Sequence, residues 1–150
     1  MKNLPLGTGA PAEILIVEDN PGDVQLTVEA FHEANVCNRI HVARDGLEAL
    51  DFLYRRGKYI EAPRPDIILL DLNLPRKNGR DVLREIKANE SLKRIPVIIL
   101  TSSLADEDIL NAYDLNVNCY ISKPVNPDQF MRVIKSLKSF WLTIVELPGE

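Results

Sequence analysis

The residues best suited to chemistry stand directly after four short apolar runs in the sequence. Glu18 and Asp19 follow the first run, Asp71 the third, Thr101 the fourth and Lys123 the fifth. The carboxyl ends of parallel strands meet at one edge of a sheet, so runs of this kind would gather these side chains. Three carboxylates in one pocket repel, and the pKa of one would rise unless a cation neutralises it. Mg²⁺ with oxygen ligands is the natural solution.

Asp71 is the candidate nucleophile, because a carboxylate can accept a phosphoryl group and become an acyl phosphate. Lys123 would then neutralise one phosphoryl oxygen, and Thr101 would donate a hydrogen bond to another. Each residue alone has a plainer interpretation. Glu18 and Asp19 could serve a helix N-terminus, Thr101 could cap a strand end, and Lys123 could be a solvated lysine.

The elements that must position these residues alternate regularly along the chain. Short apolar runs occur at residues 14–17, 40–43, 67–70, 97–100 and 119–121. Three of them, at 14–17, 67–70 and 97–100, are continuous blocks of four, which are typical of strands buried on both faces of a parallel sheet. Apolar residues at helical spacing separate them: Val24, Val28 and Phe31; Leu47, Leu50 and Tyr54; Val82 and Ile86; Ile109 and Tyr113; Phe130, Val133, Ile134 and Leu137. The alternation predicts a doubly wound α/β fold with a five-stranded parallel sheet. Residues 57–65 are expected to form a surface loop.

Composition narrows the class of protein. The chain has 150 residues, 45% of them hydrophobic and 27% charged, which fits one globular domain. A net charge of −4 argues against nucleic-acid binding. The absence of a signal peptide or a long apolar run argues against a membrane role, and two cysteines fit a reducing cytoplasm.

Five sequence motifs, in this order and spacing, resemble the response-regulator receiver domains of bacterial two-component systems. They are ILIVEDN at residues 14–20, DIILLDLNLP at 66–75, Asn78-Gly79, PVIILT at 96–101 and YISKP at 120–124. The resemblance spans residues 13–142, with residues 1–12 as a flexible arm and 143–150 as an extension of the last helix. It implies a flavodoxin-like (βα)5 fold with strand order 2-1-3-4-5.

The resemblance also implies a role for each acidic residue. A sensor histidine kinase would phosphorylate Asp71. Mg²⁺ would be held by Asp19, Asp71 and the main-chain carbonyl of Asn73, with Glu18 helping mainly through water. Asn73 and Ser103 occupy the positions that tune water access to the phosphoaspartate, so they should set its lifetime.

The residues expected to report phosphorylation come from the last two strands. By resemblance, Thr101 and Lys123 contact the phosphoryl group, and the peptide bond between Lys123 and Pro124 is cis. Tyr120 is at the position of the family's switch aromatic residue and would turn inward as Thr101 moves toward the phosphate. The alternative for Tyr120 is a plain, half-buried strand residue.

Three further features of the sequence resemble those of the single-domain response regulators that pair with bacterial phytochrome kinases. These details are NPGD at residues 20–23, the long connection at 57–65, and the end of the last helix at Phe140, Trp141 and Leu142. Apolar surface there indicates either local packing or a homodimer through the fourth predicted helix, the fifth strand and the fifth helix. Because no output domain follows in this sequence, the output is expected through a partner, including a downstream phosphotransfer protein.

Two rival functions are weaker. A phosphatase like the haloacid dehalogenases also uses Asp, Mg²⁺, Thr and Lys, but it needs an Asp-x-Asp pattern on the first strand. This chain has Glu18-Asp19-Asn20 there, and Asn73 replaces the second acid after Asp71. A receiver that serves only as an unphosphorylated interaction module would not need the intact site. The sequence therefore predicts a phosphoryl acceptor rather than an enzyme.

Overall fold

A computed structural model describes residues 12–33, 38–101, 117, 119–123 and 125–136. Five parallel strands form one sheet in the order β2-β1-β3-β4-β5, as predicted. The elements in chain order are β1 (Ala12–Val17), α1 (Pro21–Glu33), β2 (Asn38–Ala43), α2 (Gly46–Tyr54), a 3-10 turn (Gly57–Tyr59), β3 (Ile67–Asp71), α3 (Gly79–Ala88), β4 (Val97–Thr101), β5 (Cys119–Ser122) and α4 (Pro127–Ser136).

The central strands are buried on both faces, which explains their continuous apolar sequences. Every residue of β3 and of β4 is buried. In the register of β1 with β3, Val17 lies opposite Leu70. Glu18 follows Val17 and Asp71 follows Leu70, so these two acidic residues lie at the same level at one edge of the sheet.

Helices cover both faces of the sheet, which confirms the doubly wound architecture. On one face, Leu50 of α2 and Leu83 of α3 pack with Leu70 of β3 in one core cluster. On the other face, the rings of Phe31 in α1 and Phe130 in α4 meet edge to face, with their centroids 4.5 Å apart. The sheet edge that carries Glu18 and Asp71 is therefore supported by helices packed on both faces of the sheet.

The helix N-termini follow the sequence signals, with one error in the predicted apolar faces. Asn20 accepts a hydrogen bond from the backbone of Asp23 at 3.0 Å, so it caps α1 as its type suggests. Leu47, however, was expected on the core face of α2 and is 43% exposed. The buried face consists of residues spaced by three and four that exclude Leu47: Gly46, Ala49, Leu50, Phe52 and Leu53.

The connection at residues 57–65 is not a plain surface loop. It begins with the 3-10 turn, and its Tyr59 and Ala62 pack against the core. The Tyr59 ring lies 5.3 Å from that of Phe52. Aromatic packing of this kind explains how a Pro-containing connection keeps a defined shape.

The ends of the chain differ from the predicted limits in one respect. β1 begins at Ala12, which is buried, one residue before the predicted start of the domain. The rest of the predicted arm, the predicted helix around Ile109 and Tyr113, and residues 137–150 lie outside the described residues. Within the described part of the chain, no helix has the length and apolar character needed to cross a bilayer.

Candidate functional site

Glu18, Asp19 and Asp71 form one acidic cluster at the carboxyl edge of β1 and β3. One carboxylate oxygen from each lies within 4.8 Å of the others. Glu18 and Asp71 are buried, whereas Asp19 is exposed. The cluster is therefore open to solvent on one side and closed by the protein on the other.

Lys123, directly after β5, brings an ammonium group into this acidic cluster. Its Nζ lies 2.9 Å from Asp71 Oδ2, 2.9 Å from Glu18 Oε1 and 3.0 Å from Asp23 Oδ2. Its side chain is 16% exposed, so these pairs are only partly screened by water. The structure thus brings Glu18, Asp71 and Lys123 together at one edge of the sheet.

Asp23 is the one contact of Lys123 that was missed from the sequence. It lies in the first turn of α1, where an acidic side chain favours the helix dipole and needs no further partner. A signal was available, because Asp23 follows Asn20 by three residues at the same edge of the sheet as Asp19. Its pairing with a residue 100 positions away could not be read from that spacing.

Negative charge exceeds positive charge in and around the acidic cluster, and the raised pKa of Glu18 is the clearest consequence. Burial raises the pKa of Glu18 to about 7, with a hydrogen bond and charge repulsion from Asp71 adding to the effect and Lys123 opposing it. For Lys123, burial lowers the pKa, but hydrogen bonds to Asp71, Glu18 and Asp23 outweigh that cost and raise it. One ammonium thus faces four carboxylates and does not neutralise them.

The residues present fit a divalent metal ion. Glu18 Oε2 accepts a hydrogen bond from the backbone of Asn20 at 3.2 Å, and the buried Oε1 pairs with the Lys123 ammonium at 2.9 Å, which Glu18 shares with Asp71 and Asp23. Oxygen atoms of Asp19 and Asp71 lie nearby. Several carboxylate oxygens that share a single ammonium are a set of ligands that hard divalent cations bind.

The other described site residues surround Asp71. The backbone N–H of Asn73 donates to Asp71 Oδ1 at 2.9 Å. Thr101 is buried at the end of β4, and its carbonyl accepts a hydrogen bond from the backbone of Lys123 at 2.8 Å. Tyr120 is half-buried and packs against the core cluster under α2 and α3. The following predicted residues lie outside the described part of the chain: Ser103, Pro124, Phe140, Trp141 and Leu142.

Comparison with known proteins agrees with this arrangement. The sequence model of the protein family described as the response regulator receiver domain matches residues 14–135 of this chain. The chain belongs to this family. The flavodoxin-like fold and the function follow: it is a phospho-accepting regulator of a two-component system rather than a classical enzyme, and the phosphatase alternative is not favoured.

Three relatives carry the resemblance further. Response regulator Rcp1 of Synechocystis is 46% identical over 139 residues, which cover 93% of this chain and 95% of Rcp1. A crystal structure of the Mn²⁺-bound form of Rcp1 has a TM-score of 0.74, at 45% identity and with 93% and 100% of the chains covered. The phosphorylated cyanobacterial phytochrome response regulator RcpA matches with a TM-score of 0.75 and 47% identity, covering 93% of this chain and all of RcpA. The structure of the bacteriophytochrome response regulator RtBRR matches with a TM-score of 0.83 and 41% identity, covering 93% of this chain and 86% of RtBRR.

Proposed function

We propose that this response regulator takes its phosphoryl group on Asp71, in the presence of Mg²⁺, from the histidine kinase of a phytochrome-type photoreceptor. The observation that carries the proposal is the position of Asp71. Its carboxylate is buried at the end of β3, between the Lys123 ammonium and the two acidic residues after β1. A nucleophile in that position has a cation for the incoming charge and an open side for the donor.

The transfer is a single in-line displacement. An oxygen of the Asp71 carboxylate attacks the phosphorus of a phosphohistidine, and the O–P bond forms as the P–N bond breaks. The imidazole nitrogen keeps the electron pair and takes up a proton from water. When bound, the divalent ion supplies positive charge beside the phosphoryl oxygens. Asp19, Asp71 and the main-chain carbonyl of Asn73 would hold it, with Glu18 acting mainly through water.

Lys123 and Thr101 complete the chemistry. Lys123 already pairs with Asp71 Oδ2, so it can pass to a phosphoryl oxygen without leaving the site. Thr101 ends the neighbouring strand, from which its hydroxyl would donate to a second oxygen. Water access to the product would be tuned by Asn73 and Ser103, which set the lifetime of the phosphoaspartate.

Phosphorylation is then read out by the last two strands. A phosphoryl group adds roughly −1.5 to −2 units of charge. Thr101 moves toward that charge, and Tyr120, on the adjacent strand, turns inward. In the register of β4 and β5, Ile99 lies opposite Tyr120 and Thr101 opposite Ser122, so Thr101 and Tyr120 stand on neighbouring strands two register positions apart. The change is a shift between two states of one surface.

The partners follow from the relatives. Identity of 41–47% to RcpA and RtBRR, whose names place them in phytochrome systems, supports a phytochrome-type kinase. A homodimer through the predicted fourth helix, β5 and the last helix is proposed, with Phe140, Trp141 and Leu142 as contacts. We also propose a receiver domain over residues 13–142, a cis peptide bond at Pro124, a cytoplasmic location and a downstream phosphotransfer protein as a further partner.

The test is phosphorylation of the full chain by acetyl phosphate with Mg²⁺, read by intact mass. We expect the wild type to gain one phosphoryl group, Asp71→Asn to gain none, and chelation of Mg²⁺ to abolish the gain. Asp66→Asn is the matched control, because Asp66 stands exposed before the opposite end of the same strand. A second arm offers a phosphorylated phytochrome kinase and, separately, an unrelated histidine kinase as donor.

The outcomes of the two arms are distinct. A phosphoryl group retained in Asp71→Asn would exclude Asp71 as the acceptor. Equal transfer from both kinases would support the acceptor chemistry but contradict a phytochrome-specific partner.

A further inference from the structure

The backbone between Asp71 and α3 contains a tight turn centred on Arg76. The N–H of Lys77 donates to the carbonyl of Pro75 at 2.7 Å, which closes a three-residue turn. Arg76, in the middle, has φ 65°, in the left-handed region that favours glycine. Three-residue turns with positive φ are rare and strained, and a non-glycine residue holds one only when its surroundings fix it there.

Asp45 supplies part of that fixation. Its Oδ2 accepts a hydrogen bond from Arg76 Nε at 2.9 Å and forms an ion pair with a terminal guanidinium nitrogen of Arg76 at 2.7 Å. Its Oδ1 accepts from the backbone N–H of Glu48 at 2.8 Å and so caps α2. One carboxylate, only 14% exposed, therefore joins the turn to the N-terminus of α2.

Two glycines bring the backbone of the same segment into direct contact with its neighbours. A Cβ atom on Gly46 of α2 would lie 2.0 Å from the carbonyl oxygen of Lys77. A Cβ atom on Gly79 would lie 2.3 Å from the carbonyl oxygen of Asp71. The segment from Asp71 to Gly79 therefore meets neighbouring backbone closely at Lys77 and at Gly79, on either side of which the chain has little room to shift.

We propose that Arg76 is a positioning residue for the phosphoryl-accepting site, because its clamp on Asp45 holds the strained turn and thereby fixes the main-chain carbonyl of Asn73. The inference rests on the proposed function in one respect, namely that this carbonyl is a metal ligand. Asn73 is linked to Asp71 on one side by its N–H bond to Oδ1 and to the turn on the other by Leu74, the single residue before Pro75. The described side-chain contacts of Arg76 go to Asp45 and not to the acidic cluster.

The proposal predicts an effect opposite in sign to simple electrostatics. Arg76 carries a positive charge near a site for a divalent cation, so its removal should strengthen Mg²⁺ binding if charge alone mattered. If Arg76 positions the carbonyl, its removal should weaken Mg²⁺ binding instead, as loss of an outer-shell support does at other metal sites. The direction of the change therefore separates the two accounts.

The experiment measures the affinity of the full chain for Mg²⁺ by isothermal titration calorimetry. We expect Arg76→Ala to weaken binding about tenfold, and Arg76→Lys, which keeps the charge but loses the planar fork, to fall between it and the wild type. Arg84→Ala is the matched control, since it removes the same charge from an exposed pair with Asp81 on α3. We expect it to leave the affinity unchanged or slightly raised.

A second readout needs no metal. The amide hydrogens of Lys77 and Gly79 are bonded within this segment, Gly79 to the carbonyl of Leu72 at 3.0 Å. Their exchange with solvent in the metal-free protein should quicken in Arg76→Ala and not in Arg84→Ala. Asp45→Asn keeps an acceptor for α2 but loses the ion pair, and it should reproduce the effect of Arg76→Ala without adding to it.

The possible results separate the clamp from the function on which it rests. If the wild type neither binds Mg²⁺ nor accepts a phosphoryl group, the proposed function fails, and amide exchange still tests the clamp. If Arg76→Ala binds Mg²⁺ as tightly as the wild type, with unchanged exchange at Lys77 and Gly79, the positioning role is overturned. The conservative Arg76→Lys variant decides the matter if Arg76→Ala does not fold.

Discussion

Two glutamates in this domain are both shielded from water, yet they respond to that shielding in opposite ways. Glu18, in the acidic cluster, has its pKa raised to about 7 by burial and by Asp71. For Glu48, in α2, burial also acts to raise the pKa, but the backbone N–H of Arg44 and the hydroxyl of Tyr59 donate hydrogen bonds to it. Together with the charge of Lys58, these bonds lower its pKa.

The difference lies in the neighbours rather than in the burial. Around Glu48, the side chains of Asp45, Lys58, Tyr59 and Arg76 form what we term the α2 network, in which each carboxylate has its own donors. In the acidic cluster, carboxylates face one another and share a single ammonium. A balanced network stabilises a fold, whereas an unbalanced one attracts a cation and is a site for chemistry.

The largest contrast should come from removing the lysine in each region. Lys123→Met leaves buried carboxylates without their counter-charge, so we expect a loss of about 3 kcal/mol in the free energy of unfolding at pH 8 without metal. Lys58→Met removes a 75% exposed lysine 3.6 Å from Glu48 and should cost less than about 0.5 kcal/mol. Urea unfolding measures both. Equal losses would mean that the acidic cluster depends on Lys123 no more than the α2 network depends on Lys58.

The next contrast is a reversal of sign with pH. Because the folded-state pKa of Glu18 is raised from 4.5 to about 7, its protonated form favours the folded state. Stability from this group is complete below about pH 4.5 and is lost as pH rises through 7. Glu18→Gln should remove that loss, and at pH 8 without metal it should stabilise the protein by about 2 kcal/mol.

Glu48→Gln should act in the opposite direction. The pKa of Glu48 is lowered, so its ionised form favours the folded state, and that stability is present above its unfolded pKa and lost in acid. At pH 8 the variant should lose about 1 kcal/mol. Urea unfolding from pH 5 to 8 in chelator checks both glutamates, and the same sign for both variants would refute the distinction between the two regions.

The sequence predicts the acidic cluster better than the α2 network, and the reason is geometric. Strands buried on both faces leave a continuous apolar run, so the ends of β1 and β3 could be located, and Glu18 and Asp71 with them. Their meeting with Lys123 then follows from the rule that carboxyl ends share one edge. The tyrosine that serves Glu48 lies in a connection with no such pattern, and its packing was not predicted.

Contacts made by the helices are less predictable from the sequence than the acidic cluster, but more predictable than the packing of Tyr59. The apolar spacing of α2 predicted the helix but placed Leu47 on the wrong face, because periodicity alone does not fix the rotation of a helix against the sheet. The pairing of Asp23 with Lys123 depends on the rotation of α1 in the same way. The clamp between Arg76 and Asp45 depends on a backbone turn that no local residue preference demands, since arginine does not favour positive φ.

The smallest predicted effect concerns Asp23, which lies beside the acidic cluster and contacts the same lysine. Asp23 shares the Lys123 ammonium with Asp71, at 3.0 Å, but is itself 26% exposed and lies on a helix rather than at a strand end. Asp23→Asn keeps the start of α1 and removes one charge, so the free energy of unfolding should change by less than about 0.5 kcal/mol. Glu29→Gln, on the exposed side of the same helix, is the matched control.

The informative readout for Asp23 is the rate of phosphorylation by acetyl phosphate at saturating Mg²⁺. With Asp23 neutral, Lys123 interacts more fully with Asp71 and the incoming phosphoryl group, and we expect a rate about two to three times that of wild type and of Glu29→Gln. A slower rate would contradict the idea that Asp23 competes for the ammonium. Asp23 would then be a residue that holds Lys123 in place, and the charge imbalance of the cluster would belong to its three strand-end carboxylates alone.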